Sequence, residues 1–294
     1  IAARPAMGKT AFVLSMARNM AVDRQVPIAM FSLEMSNVQL VNRLLVNVCE
    51  ISGEKIKSGQ LAKYEWSQLD FKIGSLYGAP FYVDDTPSLS VFELRTKARR
   101  LVRDYGVKMI IIDYLQLMNA SGMSYGSRQE EVSTISRSLK GLAKELNIPI
   151  IALSQLNRSV EQRTTNNPDS PDSKRPQLSD LRESGAIEQD ADMVCFIHRP
   201  EYYKIYKDAH GNDTKGIAEI IIAKHRNGAV GDVRLRFRSE FARFLNLEDD
   251  IPPMPNDDGT IKPSPSKLNT EGITQDDDPF DGIDMSSMPE GAPF

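Results

Sequence analysis

The feature that most constrains the fold is the alternation of apolar segments with segments of helical character. The stretches "PIAMFSLEM", "VKMIIIDYLQLM" and "IPIIALSQ" are apolar along most of their length, which is typical of strands buried on both faces. Helices are predicted between them, including one capped at Ser36, one capped at Ser90 and a long one from about Arg128 to Leu146. This alternation predicts an α/β fold with a mostly parallel sheet flanked by helices.

The carboxy-terminal strands are expected to pair differently. "DMVCFIH", "GIAEIIIAKHR", "DVRLRF" and "RFLNL" are the last predicted strands, and we expect an antiparallel group among them, which makes the sheet mixed. In sheets of this class, ligands bind at the carboxyl ends of the parallel strands. The residues that end the apolar strands are therefore the first candidates for a functional site.

A candidate phosphate-binding loop lies at the start of the chain. In "ARPAMGKTAF", Gly8, Lys9 and Thr10 precede a helical segment, and such a loop needs backbone N–H groups at a helix N-terminus, a lysine and a hydroxyl. Ala3 stands where the usual motif has its first glycine, so the loop alone does not separate a nucleotide site from a chance turn. The predicted nucleotide-binding residues are Ala6, Met7, Gly8, Lys9, Thr10 and Ala11.

Three polar residues end the apolar strands. Asp113 after "MIII" fits the acid that holds magnesium together with Thr10 in phosphate-loop NTPases, although it could also cap a helix. Glu34 could polarise the attacking water, or be a solvated loop acid. Gln155 could sense the γ-phosphate, or simply terminate its strand.

The carboxy-terminal stretch has a different composition. Residues 248–294 contain 12 acidic residues against two lysines and hold 8 of the 17 prolines. We predict a disordered acidic, proline-rich tail there and one folded domain over residues 1–247. The net charge of −4 then hides a mildly basic folded part, which is compatible with a polyanionic partner but only weak evidence for one.

The sequence contains no apolar run long enough for a membrane span and no recognisable signal peptide. We therefore expect a cytoplasmic protein with no membrane partner. Its first residue is Ile1, and only three residues precede the candidate loop, so we expect a fragment whose first strand is truncated.

Several longer motifs carry a family resemblance. "ARPAMGKTAF", "FSLEMS", "EISGEKIKSG", "IIIDYLQLM", "SRSLKGLAKELNIPIIALSQLNRSVEQR", "KRPQLSDLRESGAIEQDAD" and "AEIIIAKHRNG" occur in this order across residues 1–247. Together they resemble the carboxy-terminal motor domain of bacterial replicative DNA helicases of the DnaB type. The resemblance implies a RecA-like P-loop NTPase fold and a homohexameric ring around single-stranded DNA. It also implies hydrolysis of ATP or another NTP with Mg²⁺ that drives 5′ to 3′ translocation and unwinding.

The resemblance also assigns roles to individual residues. The family carries alanine at the Ala3 position, Lys9 and Thr10 bind phosphate and magnesium, and Asp113 is the metal-side acid. The catalytic residues it implies are Lys9, Glu34 as the carboxylate, Gln155 as the γ-phosphate sensor, and Lys224 with Arg226 as a basic pair that reaches the neighbouring subunit's site. Arg226 would be the arginine finger; read without the family, "KHR" is a basic strand end.

The resemblance further implies a DNA-binding turn and protein partners. Arg182, Glu183 and Gly185 of "DLRESG" would lie against the phosphate backbone of the DNA, although "RESG" alone reads as a solvated turn. The loop from Asn119 to Arg128 is a second candidate near the pore. Primase and a helicase loader would bind largely through an amino-terminal domain and a linker helix that this sequence lacks.

Two other functions remain open at this stage. A RecA-like ring ATPase of the recombination or clock type would share the loop and Asp113 but lack "RESGAIEQDAD" and "KHRNG". A nucleotide-binding scaffold without catalysis is disfavoured by the presence of Glu34, Gln155 and Arg226.

Overall fold

The structure of the protein, a computed structural model, describes residues 1–120, 125–163, 174–208 and 210–248, without the side chains of residue 162 and residues 182–185. All of the predicted tail except Glu248, and residues 121–124 of the predicted loop from Asn119 to Arg128, lie outside these ranges. Within the described part, no helix is both long enough and apolar enough to cross a membrane.

The described residues form strands and helices that largely follow the predicted alternation. The strands are β1 (Ala2–Ala3), β2 (Ile28–Ser32), β3 (Phe81–Asp84), β4 (Met109–Asp113), β5 (Ile150–Ala152), β6 (Ser154–Gln155), β7 (Met193–His198), β8 (Ile217–His225), β9 (Gly231–Arg238) and β10 (Arg243–Leu245). The helices are α1 (Lys9–Ala17), α2 (Asn37–Cys49), α3 (Gly53–Ser58), α4 (Lys63–Ile73), α5 (Val91–Tyr105), α6 (Arg128–Leu146), α7 (Ser159–Gln162) and α8 (Gly185–Asp190). A π-helical turn, Arg18–Val22, continues α1, and short 3₁₀ helices lie at Gly74–Leu76, Leu115–Leu117, Leu178–Ser184, Pro200–Tyr203 and Ser239–Phe241.

The helix starts follow local capping chemistry. The Ser36 and Ser90 side chains each accept a hydrogen bond from the backbone three residues on and form the predicted capping boxes, and α6 has the predicted bounds. Strand β2 differs from its prediction: it ends at Ser32, so Glu34 follows the strand instead of closing it.

Parallel and antiparallel pairs both occur, as predicted, but the strands form two sheets. The four-stranded sheet has the order β3-β2-β4-β5 and only parallel pairs, and the six-stranded sheet has the order β10-β9-β8-β7-β1-β6 and is mixed. Strand β1 pairs in parallel with β6 and β7, whereas β7, β8, β9 and β10 pair antiparallel. Only Leu153 separates β5 from β6, and its N–H donates to the Ile112 carbonyl at 2.9 Å, so the chain passes directly from one sheet to the other.

Both faces of the parallel strands are buried because successive side chains point to opposite sides. Phe31 and Ile112 belong to a core cluster that includes residues of α5 and α6. Met30 and Ile111, their chain neighbours, belong to a second cluster with residues of α1 and α2. The predicted helical cover on both faces is confirmed, and it leaves the carboxyl ends of β1, β2, β4 and β6 to form the site.

Candidate functional site

The turn between β1 and α1 has a backbone that requires glycine. Gly8 has φ +98°, a left-handed conformation, and a Cβ there would lie 3.2 Å from the ring of Phe244. The Gly8 carbonyl accepts from the Phe12 N–H at 2.8 Å, which begins the helix. The N-terminus of α1 therefore follows the turn directly, as an anion-binding loop needs.

Lys9 lies at the first position of α1. Its Nζ donates to the carbonyl of Ala3 at 3.2 Å. Burial lowers the pKa of Lys9, and the charges of Asp113 and Glu34 offset part of that effect. The Lys9 ammonium is partly buried, and its hydrogen-bond partner is a neutral carbonyl. Exchanging that partner for an anionic phosphate oxygen would therefore strengthen its electrostatic interaction.

Asp113, at the carboxyl end of β4, lies beside Thr10. The Thr10 hydroxyl donates to Asp113 Oδ2 at 2.7 Å, and the Asp113 side chain is buried. Burial raises the pKa of Asp113, the hydrogen bond from Thr10 lowers it in part, and the charge of Glu34 raises it further. Its Oδ1 is also buried and has no hydrogen-bond partner among the described residues.

The donor set of this pair suits magnesium. A carboxylate with one unpartnered oxygen and an adjacent hydroxyl are hard oxygen ligands of the kind Mg²⁺ prefers. The Asp113 carboxylate accepts from Thr10 103 residues away, so the alternative that it serves only as a helix cap loses support. An orphaned buried acceptor is costly without a partner, which a cation would supply.

Glu34 lies at the same edge of the sheet. Ser32 pairs with Asp113 in the register of β2 and β4, and the Leu33 N–H donates to the Asp113 carbonyl at 2.7 Å. The Glu34 side chain is exposed, yet its charge acts on the pKa values of both Lys9 and Asp113. The structure therefore brings Glu34, Lys9, Thr10 and Asp113 together.

Gln155 ends β6 directly beside β1. It pairs with Ala3 in the strand register, and its side chain is exposed. The Gln155 N–H donates to Oε1 of Gln116 at 3.4 Å, and Nε2 of Gln116 donates to the Ser154 hydroxyl at 2.8 Å. Gln116 was missed by sequence reasoning because nothing in "DYLQLM" shows that this side chain turns toward β6.

Lys224 and Arg226 lie at the end of the strands that is opposite to the loop before α1. In the register of β7 and β8, His225 pairs with Met193, the first residue of β7, whereas the last residue of β7 lies on the loop side. The six residues of β7 are joined by five steps of about 3.3 Å, which separates its two ends by roughly 17 Å. The basic pair is therefore not next to the Lys9 of its own chain.

Both cations contact the carboxyl end of α8. Lys224 donates to the carbonyls of Glu188 and Gln189, and Arg226 donates to the Gln189 carbonyl at 2.5 Å. The Arg226 guanidinium also lies 3.7 Å from the Asp192 carboxylate. Cations at the C-terminus of a helix interact favourably with its orphan carbonyls.

The predicted DNA-binding residues Arg182, Glu183 and Gly185 span the junction between the 3₁₀ helix Leu178–Ser184 and α8. Their side chains lie outside the described part of the chain, so their role stays a prediction. Leu181, just before them, is buried in a cluster with Ala2, so this junction packs against β1.

Sequence reasoning missed aromatic and cationic groups beside the loop. Arg199, which follows β7, donates to the Ala6 carbonyl at 3.3 Å and lies 4.0 Å over the ring of Phe237. The rings of Phe237 and Phe244 approach Gly8 from the last two strands. No local pattern in "IHRPEYY" reveals this contact, because it arises only when β7 lies beside β1.

Comparison with known proteins identifies similar chains. A family model described as "DnaB-like helicase C terminal domain" matches residues 1–246. The chain is 52% identical over 248 residues to the replicative DNA helicase DnaB of Geobacillus stearothermophilus, covering 84% of this chain and 52% of that protein. It is 49% identical over 248 residues to the replicative DNA helicase DnaC of Bacillus subtilis (strain 168), with the same coverage.

Solved structures give the same result. One solved ATPase domain is 42% identical with a TM-score of 0.75, over 84% of this chain and 83% of that one. A DnaB-like replicative helicase, studied with its interactions with primase, is 42% identical with a TM-score of 0.74, over 84% of this chain and 56% of that one. The chain spans about half the length of the curated relatives it matches.

Proposed function

Since the chain belongs to the family of DnaB-like helicase C-terminal domains, with the RecA-like fold of these ATPases, we propose that it is the motor of a replicative DNA helicase. NTP hydrolysis would drive 5′ to 3′ translocation on single-stranded DNA and unwinding of the duplex at the replication fork. The observation that carries the proposal is the hydrogen-bonded Thr10–Asp113 pair beside Lys9, with one buried Asp113 oxygen left unpartnered. The match over residues 1–246 favours this function over ring ATPases of the recombination or clock type.

Nucleotide binding would use the turn before α1. The backbone of Ala6, Met7 and Gly8 and the N-terminus of α1, with Lys9, Thr10 and Ala11, would receive the phosphates, and Lys9 would exchange the Ala3 carbonyl for an outer phosphate oxygen. Thr10 and Asp113 would hold Mg²⁺, which supplies positive charge against the phosphate oxygens when bound. The unpartnered Oδ1 of Asp113 supports this assignment.

Glu34 is proposed as the group that activates the attacking water. Its carboxylate is exposed at the strand edge and acts electrostatically on Lys9 and Asp113, so it is close to where the phosphates would bind. An ionised carboxylate at this place can orient a water molecule and accept its proton. Gln155, beside β1, would contact the γ-phosphate.

Lys224 and Arg226 are proposed to act on the nucleotide of a neighbouring subunit. Their position about one strand length from the phosphate loop of their own chain argues against action in cis. A finger supplied in trans stabilises transition-state charge and can raise the rate about 10³-fold or more. A homohexameric ring would provide six such interfaces.

Single-stranded DNA is the proposed partner of the turn at Arg182, Glu183 and Gly185, which would contact phosphates without reading bases. Primase is a proposed partner of the whole protein, because a related solved helicase was studied with its interactions with primase. A helicase loader is a further proposed partner. We also propose that the protein acts in the cytoplasm, where it would work at the replication fork.

The test separates nucleotide binding from hydrolysis in the full-length protein. Lys9→Ala should lower kcat by at least about 10²-fold, because the positive charge that would face the outer phosphates is removed. Glu34→Gln should keep nucleotide affinity near wild type while slowing hydrolysis by about 10²-fold or more. Phosphate release, binding of a fluorescent nucleotide and displacement of a strand from forked DNA are measured for both.

Lys108→Ala is the matched control, because Lys108 is exposed just before β4 and carries the same charge away from the carboxyl edge. Near-normal turnover in Lys9→Ala would remove the loop assignment. Joint loss of binding and turnover in Glu34→Gln would instead mark Glu34 as a structural or metal-site residue.

A further inference from the structure

Arg4 is a buried cation that the proposed mechanism does not use. Only 5% of Arg4 is exposed, and its main chain begins the turn into the loop, since its carbonyl accepts from the Met7 N–H at 3.3 Å. Its Nε donates to Oε1 of Glu161 at 2.9 Å, and its Nη1 donates to the Leu156 carbonyl at 2.7 Å. Both partners belong to the segment that leaves β6, more than 150 residues away.

Glu161 lies in α7 and connects this contact to the next segment. Lys174 Nζ donates to the backbone carbonyls of Glu161 and Arg163, each at 2.8 Å. The Arg163 guanidinium donates to Asp180 Oδ1 at 2.6 Å and to the carbonyl of Arg175 at 2.9 Å. Helix α7 is thus held from the loop side by Arg4 and from the other side by residues 174–180.

Asp180 brings these contacts to the proposed DNA-binding turn. It is 4% exposed, it lies in the 3₁₀ helix Leu178–Ser184, and its Oδ2 accepts from the Gln177 N–H at 2.7 Å. Its carbonyl accepts from the Asn157 N–H at 3.3 Å. Two residues later in the same helix is Arg182, the first of the proposed DNA contacts.

We refer to the two ion pairs Arg4–Glu161 and Arg163–Asp180 together as the charge chain. Arg4 and Asp180 are too buried to be left without partners, since breaking one side of a buried pair strands an uncompensated charge. If the loop shifts when phosphates bind, Glu161 must follow Arg4 or the pair is lost. The apolar contacts of Leu181 with Leu156 and Val160 keep the two segments packed during such a shift.

We propose that Arg4 is a positioning residue that couples the phosphate loop, through Glu161 and the rest of the charge chain, to the turn proposed to bind DNA. The charge chain sets how far nucleotide state changes DNA affinity and how far DNA stimulates hydrolysis. This inference rests on the proposed helicase function. By linkage, DNA should change nucleotide affinity by the same factor as nucleotide changes DNA affinity, whereas stimulation of hydrolysis is a rate and is measured separately.

The test uses three changes of carboxylate to amide in the full-length protein. Glu161→Gln cuts the first ion pair and Asp180→Asn the second, while Asp84→Asn is the control, because it cuts the 2.7 Å Lys97–Asp84 pair at the far edge of the sheet. Hydrolysis is measured with and without oligo(dT). Affinity for labelled oligo(dT) is measured by anisotropy with ADP and with a non-hydrolysable ATP analogue.

Glu161→Gln and Asp180→Asn should both keep basal hydrolysis near wild type, because neither Glu161 nor Asp180 is proposed to touch nucleotide or DNA. Their stimulation by oligo(dT), and the ratio of DNA affinities in the two nucleotide states, should fall about fivefold or more. The control should retain both ratios. Thermal unfolding verifies folding. Glu161→Gln keeps the test valid if Asp180→Asn is unstable, because the Glu161 side chain is 39% exposed and a glutamine Oε1 can still accept from the buried Arg4 Nε.

Wild-type ratios in a folded Glu161→Gln protein would overturn the inference. Parallel loss of basal and stimulated hydrolysis would also overturn it, because the ion pair would then only hold the loop. Wild-type protein that hydrolyses no NTP, or that shows no response to oligo(dT), would overturn the proposed function and the inference together. Failure of the inference alone requires a wild-type protein that DNA stimulates normally.

Discussion

Replacing His198 by phenylalanine should make the protein less sensitive to mild acid. His198 ends β7, is 2% exposed, and has a buried Nε2 without a hydrogen-bond partner among the described residues. Its ring stacks on Tyr203 at 5.8 Å, and Glu219 faces it across the strand pair. Burial, with a smaller contribution from the Arg175 cation, lowers the pKa of His198 to about 4.

The magnitude follows from proton linkage. The unfolded imidazole takes up a proton as the pH falls through its ordinary pKa of 6.5, whereas the folded one stays neutral until about pH 4. Between these values the unfolded state binds more protons, so acid favours unfolding and the stability present at neutral pH is lost. At about 1.4 kcal/mol for each pKa unit, the loss approaches about 3.5 kcal/mol, of which about 2.5 kcal/mol is reached by pH 4.5.

The assay is urea unfolding followed by far-UV circular dichroism at several pH values from about 7.5 to 4.5. Other titrating groups contribute equally to wild type and His198→Phe, so the difference between the two proteins isolates this imidazole. That difference should shift by about 2.5 kcal/mol in favour of the variant across the range. A wild-type-minus-variant difference that stays constant with pH would refute the reasoning.

Three further predictions concern the loop, a helix cap and the subunit interface. Gly8→Ala should destabilise the protein by roughly 1–2 kcal/mol, because the left-handed backbone strains an alanine. It should also weaken nucleotide binding, because the added Cβ would lie 3.2 Å from an aromatic ring beside the loop. Gly106→Ala is the control: its Cβ meets nothing within 4 Å, so thermal unfolding should show only the backbone strain. Ser90→Ala should lower the free energy of unfolding by about 1 kcal/mol without changing hydrolysis, since it removes the cap of α5. Mixing Arg226→Ala with Glu34→Gln subunits under exchange should restore hydrolysis above the sum of the separate variants, and no gain despite demonstrated exchange would count against a finger in trans.

Local chemistry made several elements predictable. The capping boxes at Ser36 and Ser90 and the bounds of α6 depend on residues within a few positions of one another, so their energetics can be read along the chain. The apolar run before Asp113 similarly predicted that this residue ends a buried strand, and in the structure Asp113 is the last residue of the buried strand β4. The strand before Glu34 was predicted two residues too long, because β2 ends at Ser32 and not at Glu34.

Family resemblance, not periodicity, supplied the roles of Lys224 and Arg226. Within one chain these two side chains contact α8, and their proposed substrate belongs to another subunit. No property of an isolated strand end distinguishes a finger in trans from an ordinary basic pair. The assignment therefore stays a prediction that the subunit-mixing experiment tests.

The sequence by itself determined the classes of element and the residues at the strand ends, because hydrophobic period and capping act over short distances. The tertiary structure alone decided which of those ends meet: Thr10 reaches Asp113 across 103 positions, and Arg4 reaches Glu161 across 157. Both contacts require β1 to lie between β6 and β7, with Ala2 opposite Ser154 and Phe196. Strand order and register arise from the packing of the whole core, so side chains that depend on them, such as Arg4 and His198, carry no local signal of what they contact.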